Sequence, residues 1–369
     1  MSGKQLEHEL TKVLRELLST VTWLHGWTVE TVQEADRGWD LQAMVPLPAS
    51  GKAVLCIECK VHFQPSQFSS LIDRPCHHPE PSQPVSRVLA MPSISSRMAA
   101  LCQQHEWSWF DLAGNCRLNI PGFLLIERTG NQPVRIRRRT GANLSTPEAG
   151  RMVRALLAPE NVGRRWTQRD MVNHFAEVAP TIPAPSLALV NKIVQHLRDQ
   201  AFLDDLPIRG FRVRDYEGLL QAWCEVYRLD RHARRGYFTL LQGHSLQEKL
   251  RTLDLKARGR LAYAVFSAAE FQAAHVRQPK TWLYVDANLE AELQSALETK
   301  AVDSGENLIV LIPDDRGVFY RLELSPKRLA CTNVIQTYVD LVHAGGRGNE
   351  AAEALLQQRL KPVWGAAGS

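Results

Sequence analysis

The sequence predicts a mixed α/β fold in three domains, and three observations carry that reading. Residues 39–62, WDLQAMVPLPASGKAVLCIECKVH, read as two strands joined by a turn. Residues 146–214 read as three short helices followed by two short strands. From Asp215 onward, apolar strands at Thr281–Val285 and Leu308–Ile312 are set among helical stretches. The boundaries that follow are 1–140, 141–214 and 215–369.

The first domain opens with Leu6, Leu10, Val13, Leu14 and Leu17 at helical spacing, flanked by Glu9 and Glu16. In the hairpin, side chains alternate with period 2, so Glu58 and Lys60 share one face and Ile57 and Cys59 the other. Pairing of the two strands brings Asp40 near Glu58. Two carboxylates and an ammonium then stand together. Asp40 and Glu58 are candidate oxygen ligands for Mg²⁺, and Lys60 would neutralise charge at an attacked phosphate. Glu9 would add a carboxylate from the helix. The competing reading is a strand whose exposed face carries a Glu–Lys ion pair. The spacing of Asp40, Glu58 and Lys60 resembles the nuclease core of the PD-(D/E)xK, restriction-endonuclease-like superfamily, with Trp39 in the place of its proline. That resemblance implies a restriction-endonuclease-like α/β domain and makes a Mg²⁺-dependent DNA endonuclease the alternative function.

After the hairpin, residues 64–84 are rich in Pro, Ser and His and read as a loop outside the core. Val88–Pro92 reads as a buried strand, Ser95–Cys102 as a helix, and Trp107–Leu112 and Leu118–Leu125 as further strands. Asp111–Asn115 reads as a tight turn, because Gly114 and Asn115 tolerate positive φ.

In the second domain Thr146 caps a helix with Pro147 at its first position, Thr167 starts another, and Ser186 starts a third. The third buries Leu189, Val190, Ile193, Val194 and Leu197. AFLDD and GFRVRD then form a hairpin. Three helices and a hairpin in this order describe a winged helix-turn-helix, whose third helix enters the major groove of double-stranded DNA. Ser186, Asn191, Lys192 and Gln195 are its polar contacts; Arg164, Arg165, Arg169, Arg209 and Arg212 suit phosphates. The basic run Arg137, Arg138 and Arg139 adds to that set. A small structural bundle, or a winged helix used for protein contacts, is the bland alternative.

Composition narrows the classes. The chain has 369 residues, 44% apolar, with a net charge of +5. No apolar run approaches the ~20 residues of a membrane helix, and the polar N-terminus is no secretory signal. A cytoplasmic protein is expected, with its seven cysteines as reduced thiols. The charge favours a nucleic-acid partner.

Four segments resemble a known family, the AbiEi-type antitoxins of type IV toxin–antitoxin systems. These are VLCIECKVHFQP, MPSISSRMAALCQQHEWSWFDLAGNCRLNIPGFLL, RDYEGLLQAWCEVYR and IQTYVDLVHAGGRGNEAAEAL. The resemblance implies a DNA-binding repressor of its own operon that neutralises a nucleotidyltransferase-like toxin encoded nearby. It implies no cofactor; Mg²⁺ enters only with an active nuclease-like site.

Overall fold

The computed structural model describes residues 2–31, 38–48, 51–72, 83–132, 143–179, 181–273, 275–276, 278–326 and 328–366. The chain forms mixed α/β structure, as its patterning predicts, in two compact units, 1–139 and 140–369.

The first unit begins with helix α1 (Gly3–Ser19), capped by a Ser2–Gln5 capping box. Its leucine stripe, Leu6, Leu10, Leu14 and Leu17, is buried. Strands β1 (Thr28–Thr31), β2 (Leu41–Pro46) and β3 (Lys52–Cys59) follow as an antiparallel meander. A short helix α2 (Ser69–Ile72) leads to β4 (Val85–Met91), parallel to β3. Helix α3 (Ser96–Gln104), capped by Ser95, leads to β5 (Ser108–Asp111), parallel to β4. Strands β6 (Cys116–Ile120) and β7 (Leu124–Arg128) close the sheet as an antiparallel hairpin. Among the described residues the sheet order is β1 to β7 in sequence.

Strand β3 is buried on both faces. Ala53, Leu55 and Ile57 pack with the α1 leucines, whereas Val54 and Cys56 pack with Trp39, Phe68 and Trp107. Two expectations are corrected. The segment after the hairpin is not wholly outside the core, because Phe68 and Leu71 plug the second face. Leu118–Leu125 is not one strand, because the chain turns at Gly122 with φ +79°. At Asp111–Asn115 the expected turn forms: Asp111 Oδ1 accepts from the backbone N–H of Ala113 and Asn115, and only Gly114 takes positive φ. Cys59, Cys102, Cys116, Cys224 and Cys331 are free thiols, but Cys56 is disulfide-bonded, which corrects the further expectation that all seven cysteines are reduced.

The second unit opens with α4 (Pro147–Leu157), α5 (Gln168–Val178) and α6 (Leu187–Asp199), capped by Thr146, Thr167 and Ser186. Strands β8 (Leu203–Asp205) and β9 (Phe211–Val213) form a hairpin. Trp166 pairs with Phe211 through both backbone hydrogen bonds, each 2.8 Å. Gly210 makes that approach possible: its φ is +97°, and a Cβ there would lie 2.4 Å from the Trp166 carbonyl oxygen.

The remainder comprises α7 (Tyr216–Cys224), β10 (Ala233–Phe238), α8 (Gly243–Ala257), β11 (Leu261–Tyr263), α9 (Val265–Gln272), β12 (Thr281–Val285) and α10 (Glu290–Ala296). Strands β13 (Lys300–Ala301), β14 (Leu308–Ile312), β15 (Glu323–Leu324) and β16 (Ala330–Cys331) follow. Helices α11 (Val334–His343), α12 (Gly348–Leu355), a π-helical turn (Leu356–Leu360) and α13 (Lys361–Gly365) end the chain. Their mixed sheet has the order β13-β10-β14-β12-β11-β16-β15.

No core boundary separates the first three helices from this sheet. Met152, Trp166, Phe175, Ile193 and Phe211 belong to the same buried cluster as Trp223, Tyr320, Val339 and Trp364. Polar ties cross the same junction. Arg151 grips Asp315 through Nε, at 3.0 Å to both carboxylate oxygens, and through Nη2. His174 Nε2 lies 2.7 Å from the Tyr320 hydroxyl, and Trp364 Nε1 donates to the Leu157 carbonyl at 3.3 Å.

Candidate nucleic-acid interface

Helix α6 has two distinct faces. Val190, Ile193, Val194 and Leu197 are buried, a 3.6-residue stripe that seats the helix. Ser186, Asn191, Lys192 and Gln195 are exposed. Ser186 Oγ accepts from the Leu189 backbone N–H at 3.3 Å. Gln168, the first residue of α5, donates from Nε2 to Asn191 Oδ1 at 2.8 Å, so the two helices meet at this polar face. Gln195 donates to Asp199 Oδ1 at 2.9 Å. Arg169 stands exposed beside Gln168.

The other expected cations are less free. Arg164 lays its guanidinium over the Trp166 ring, 3.9 Å from the centroid, and reaches Asn161 Oδ1 and His174 Nδ1 at 3.3 Å. Arg165 donates from Nε to the Arg209 carbonyl at 2.8 Å and fixes the hairpin turn. Arg212 faces Asp204 at 3.7 Å, as the register of the two strands requires. The Arg209 side chain and the neighbouring Ile208, 86% exposed, project from the turn. Arg137, Arg138 and Arg139 lie outside the described residues.

In the first unit, Asp40 is held against the end of β3, the stretch that carries Glu58 and Lys60. Asp40 donates its N–H to the Ile57 carbonyl at 3.1 Å, and its Oδ2 accepts the Cys59 N–H at 2.7 Å. Lys60 is ion-paired with the buried Glu58 carboxylate. Glu9 does not join them: it sits on the exposed side of α1, paired with Lys12 at 3.0 Å. The α1 carboxylate that senses Asp40 is Glu7, whose pKa is raised by burial first and then by the Asp40 charge. Glu7 borders the leucine stripe, and that position was the signal for choosing it over Glu9. Burial, then Asp40, Glu7 and Glu58, together push the Cys59 thiol far above its ordinary range. Asp40 Oδ2 receives the Cys59 N–H, and Glu58 Oε1 faces the Lys60 ammonium. Among the described residues no group of three His, Cys, Asp or Glu side chains is arranged to hold a metal ion.

A second polar constellation, unforeseen from the sequence, lies buried in the second unit. Asp340 Oδ1 accepts from the Tyr227 hydroxyl at 2.6 Å, the Tyr284 hydroxyl at 3.1 Å and Gln336 Nε2 at 2.8 Å. Burial raises the Asp340 pKa to about 7, against the pull of these hydrogen bonds and of Arg154. His232, 3.0 Å from the Tyr227 hydroxyl, and His174 are both lowered to about 4, in each case chiefly by burial. The two effects oppose each other. A histidine whose folded pKa lies below 6.5 binds fewer protons folded than unfolded, so its contribution is lost as pH falls from about 6.5 to 4. Asp340 binds more protons folded, so acidification from about 7 towards 4 favours the fold. Asp340→Asn is therefore expected to steepen the loss of stability between those pH values. Urea titrations across that range would show it; parallel pH profiles for the variant and the parent would contradict it.

Residues 212–361 match the family described as transcriptional regulator, AbiEi antitoxin, of type IV toxin–antitoxin systems. This segment is similar to the AbiEi antitoxin family. The AbiEi match runs from β9 through the mixed sheet to the start of α13, and so includes Asp340 and its partners. It leaves out α4 to α6 and the whole first unit, for which geometry alone speaks. No curated protein and no solved structure matches the chain. Among the described residues no helix is long and apolar enough to cross a membrane.

Proposed function

We propose that this chain is a cytoplasmic, double-stranded-DNA-binding repressor that controls its own operon and, through its AbiEi segment, neutralises a nucleotidyltransferase-like toxin encoded nearby. The observation that carries the DNA-binding part is α6, which buries one stripe and presents Asn191, Lys192 and Gln195 on the other, beside a hairpin tipped by Arg209. In this winged-helix reading α6 lies in the major groove, where Asn191 and Gln195 meet base edges. Arg169, Lys192 and Arg209 meet phosphates. Arg164 and Arg165 act indirectly, by fixing Trp166 and the hairpin turn.

Paired replacement of Arg169 and Arg209 by Ala is expected to weaken binding to every duplex and to lower the salt slope by about 2, one per lost phosphate contact. Anisotropy titrations against the upstream region at several salt concentrations test it. An unchanged slope would remove the assignment. The antitoxin part is tested by co-expression with the neighbouring toxin gene, where growth should be rescued by the full chain.

In this reading the Asp40–Glu58–Lys60 cluster braces the end of β3 and cuts nothing. Supercoiled, linear and branched DNA should survive prolonged incubation in Mg²⁺ or Mn²⁺. Cutting that disappears in Asp40→Ala protein would instead establish the endonuclease alternative.

A further inference from the structure

Beside the buried Asp340 network lies a small cleft of about 40 Å³, entered between the N-terminus of α4 and the turn before β10. Arg154 lines it, although the residue is only 4% exposed. A buried guanidinium normally spends its donors on partners, because an unpaired buried charge is costly. Arg154 makes one hydrogen bond among the described residues, from Nε to Gln336 Oε1. Its plane is held by Trp223, 4.9 Å from guanidinium carbon to ring centroid. The two terminal nitrogens have no hydrogen-bond partner among the described residues.

The surroundings keep that fork open. Cβ atoms built on Gly150 and Gly317 would each come within 3.1 Å of Arg154 Nη1, so both glycines clear space at the same atom. Arg228 and Arg231 also line the cleft. Of the two acidic groups there, Asp315 is gripped by Arg151, and Asp314 is partly exposed, its backbone N–H donating to His232 Nδ1 at 3.3 Å. Arg228 is matched by Asp230, and Arg231 donates to the Ser145 carbonyl. What is left over is donor capacity from Arg154 and Arg231. The volume corresponds to roughly three water molecules at about 10–15 Å³ each. That admits a tetrahedral anion and excludes a ring.

We propose that this cleft is a phosphate site: the Arg154 fork, supported at the rim by Arg231, binds a phosphate group, either as the free ion or as the exposed end of a nucleotide. Guanidinium pairs bind phosphate through parallel charge-assisted hydrogen bonds. The site is independent of the DNA-binding reading, since it uses neither α6 nor the hairpin tip.

The test is calorimetry and thermal melting of the full-length protein with inorganic phosphate, AMP and acetate at matched ionic strength. Phosphate or AMP should bind saturably and raise the melting temperature, and acetate should not match them. A shift with phosphate alone assigns the free ion; a stronger one with AMP assigns a nucleotide end. Arg154→Lys keeps the charge and loses the fork, and should lose at least about tenfold in affinity. Should that variant fold poorly, Arg231→Gln, at the exposed rim, is expected to weaken binding without unfolding the chain. Absence of saturable binding to the wild type, an equal response to acetate, or undiminished binding in the folded variants would overturn the site.

Discussion

A fragment limited to residues 143–214 is expected to remain unfolded when expressed alone. Its three helices and hairpin do not own a core. Met152, Leu156, Trp166, Phe175 and Ile193 share one buried cluster with Trp223, Phe319, Tyr320, Val339 and Trp364, all downstream of the cut. Each large side chain left exposed forfeits about 1.5–3 kcal/mol of burial, against a total stability of only about 5–15 kcal/mol for a domain. Residues 143–366 should fold, because that piece keeps every member of this buried cluster. Circular dichroism and amide-proton dispersion of the two fragments decide the matter. A well-dispersed spectrum from the short fragment would show the junction to be dispensable.

Arg151→Ala should be among the most damaging single substitutions in the chain. Its guanidinium holds Asp315 through two nitrogens and donates from Nη1 to the Pro183 carbonyl at 2.9 Å, tying α4 both to the loop before α6 and to the turn after β14. Burial alone would raise the Asp315 pKa, yet the hydrogen bond and charge of Arg151 leave it lowered. Removing one member of a buried pair strands the other and costs about 3–5 kcal/mol. At roughly 2–4 °C per kcal/mol for a unit of this size, the melting temperature should fall by about 10 °C. Replacing both residues by apolar ones of similar volume should cost less than the sum of the single changes. Additive losses in that cycle would mean that the two groups are not coupled.

Much of the fold was legible because it is written in local patterns. The leucine stripe of α1, the caps Thr146, Thr167 and Ser186, and the apolar runs of β12 and β14 each act within a few residues of themselves. That Asp40 would sit at the end of β3 followed from reading the two strands as a hairpin. What escaped the sequence is set by distant partners. Arg164 and Arg165 read as phosphate ligands until Trp166 and the Arg209 carbonyl stand beside them. Glu9 and Glu7 differ by two positions, and only the direction in which the α1 stripe faces separates them. Phe68 and Leu71 sit in a stretch whose composition says loop, yet they join Trp39, Trp107 and Trp109 in covering one face of the sheet. The Asp340 network joins residues more than a hundred positions apart, as with Tyr227, and no spacing rule announces it.

The grip of Arg151 on Asp315 has a genetic consequence. If the chain acts as proposed, a selection for derepressed operons should return substitutions scattered across both halves of residues 143–366, and the same alleles should fail to protect against the toxin. Alleles that separate the two phenotypes should be confined to surface positions such as Lys192 and Arg209, where a change alters what the protein touches and leaves untouched what it is made of.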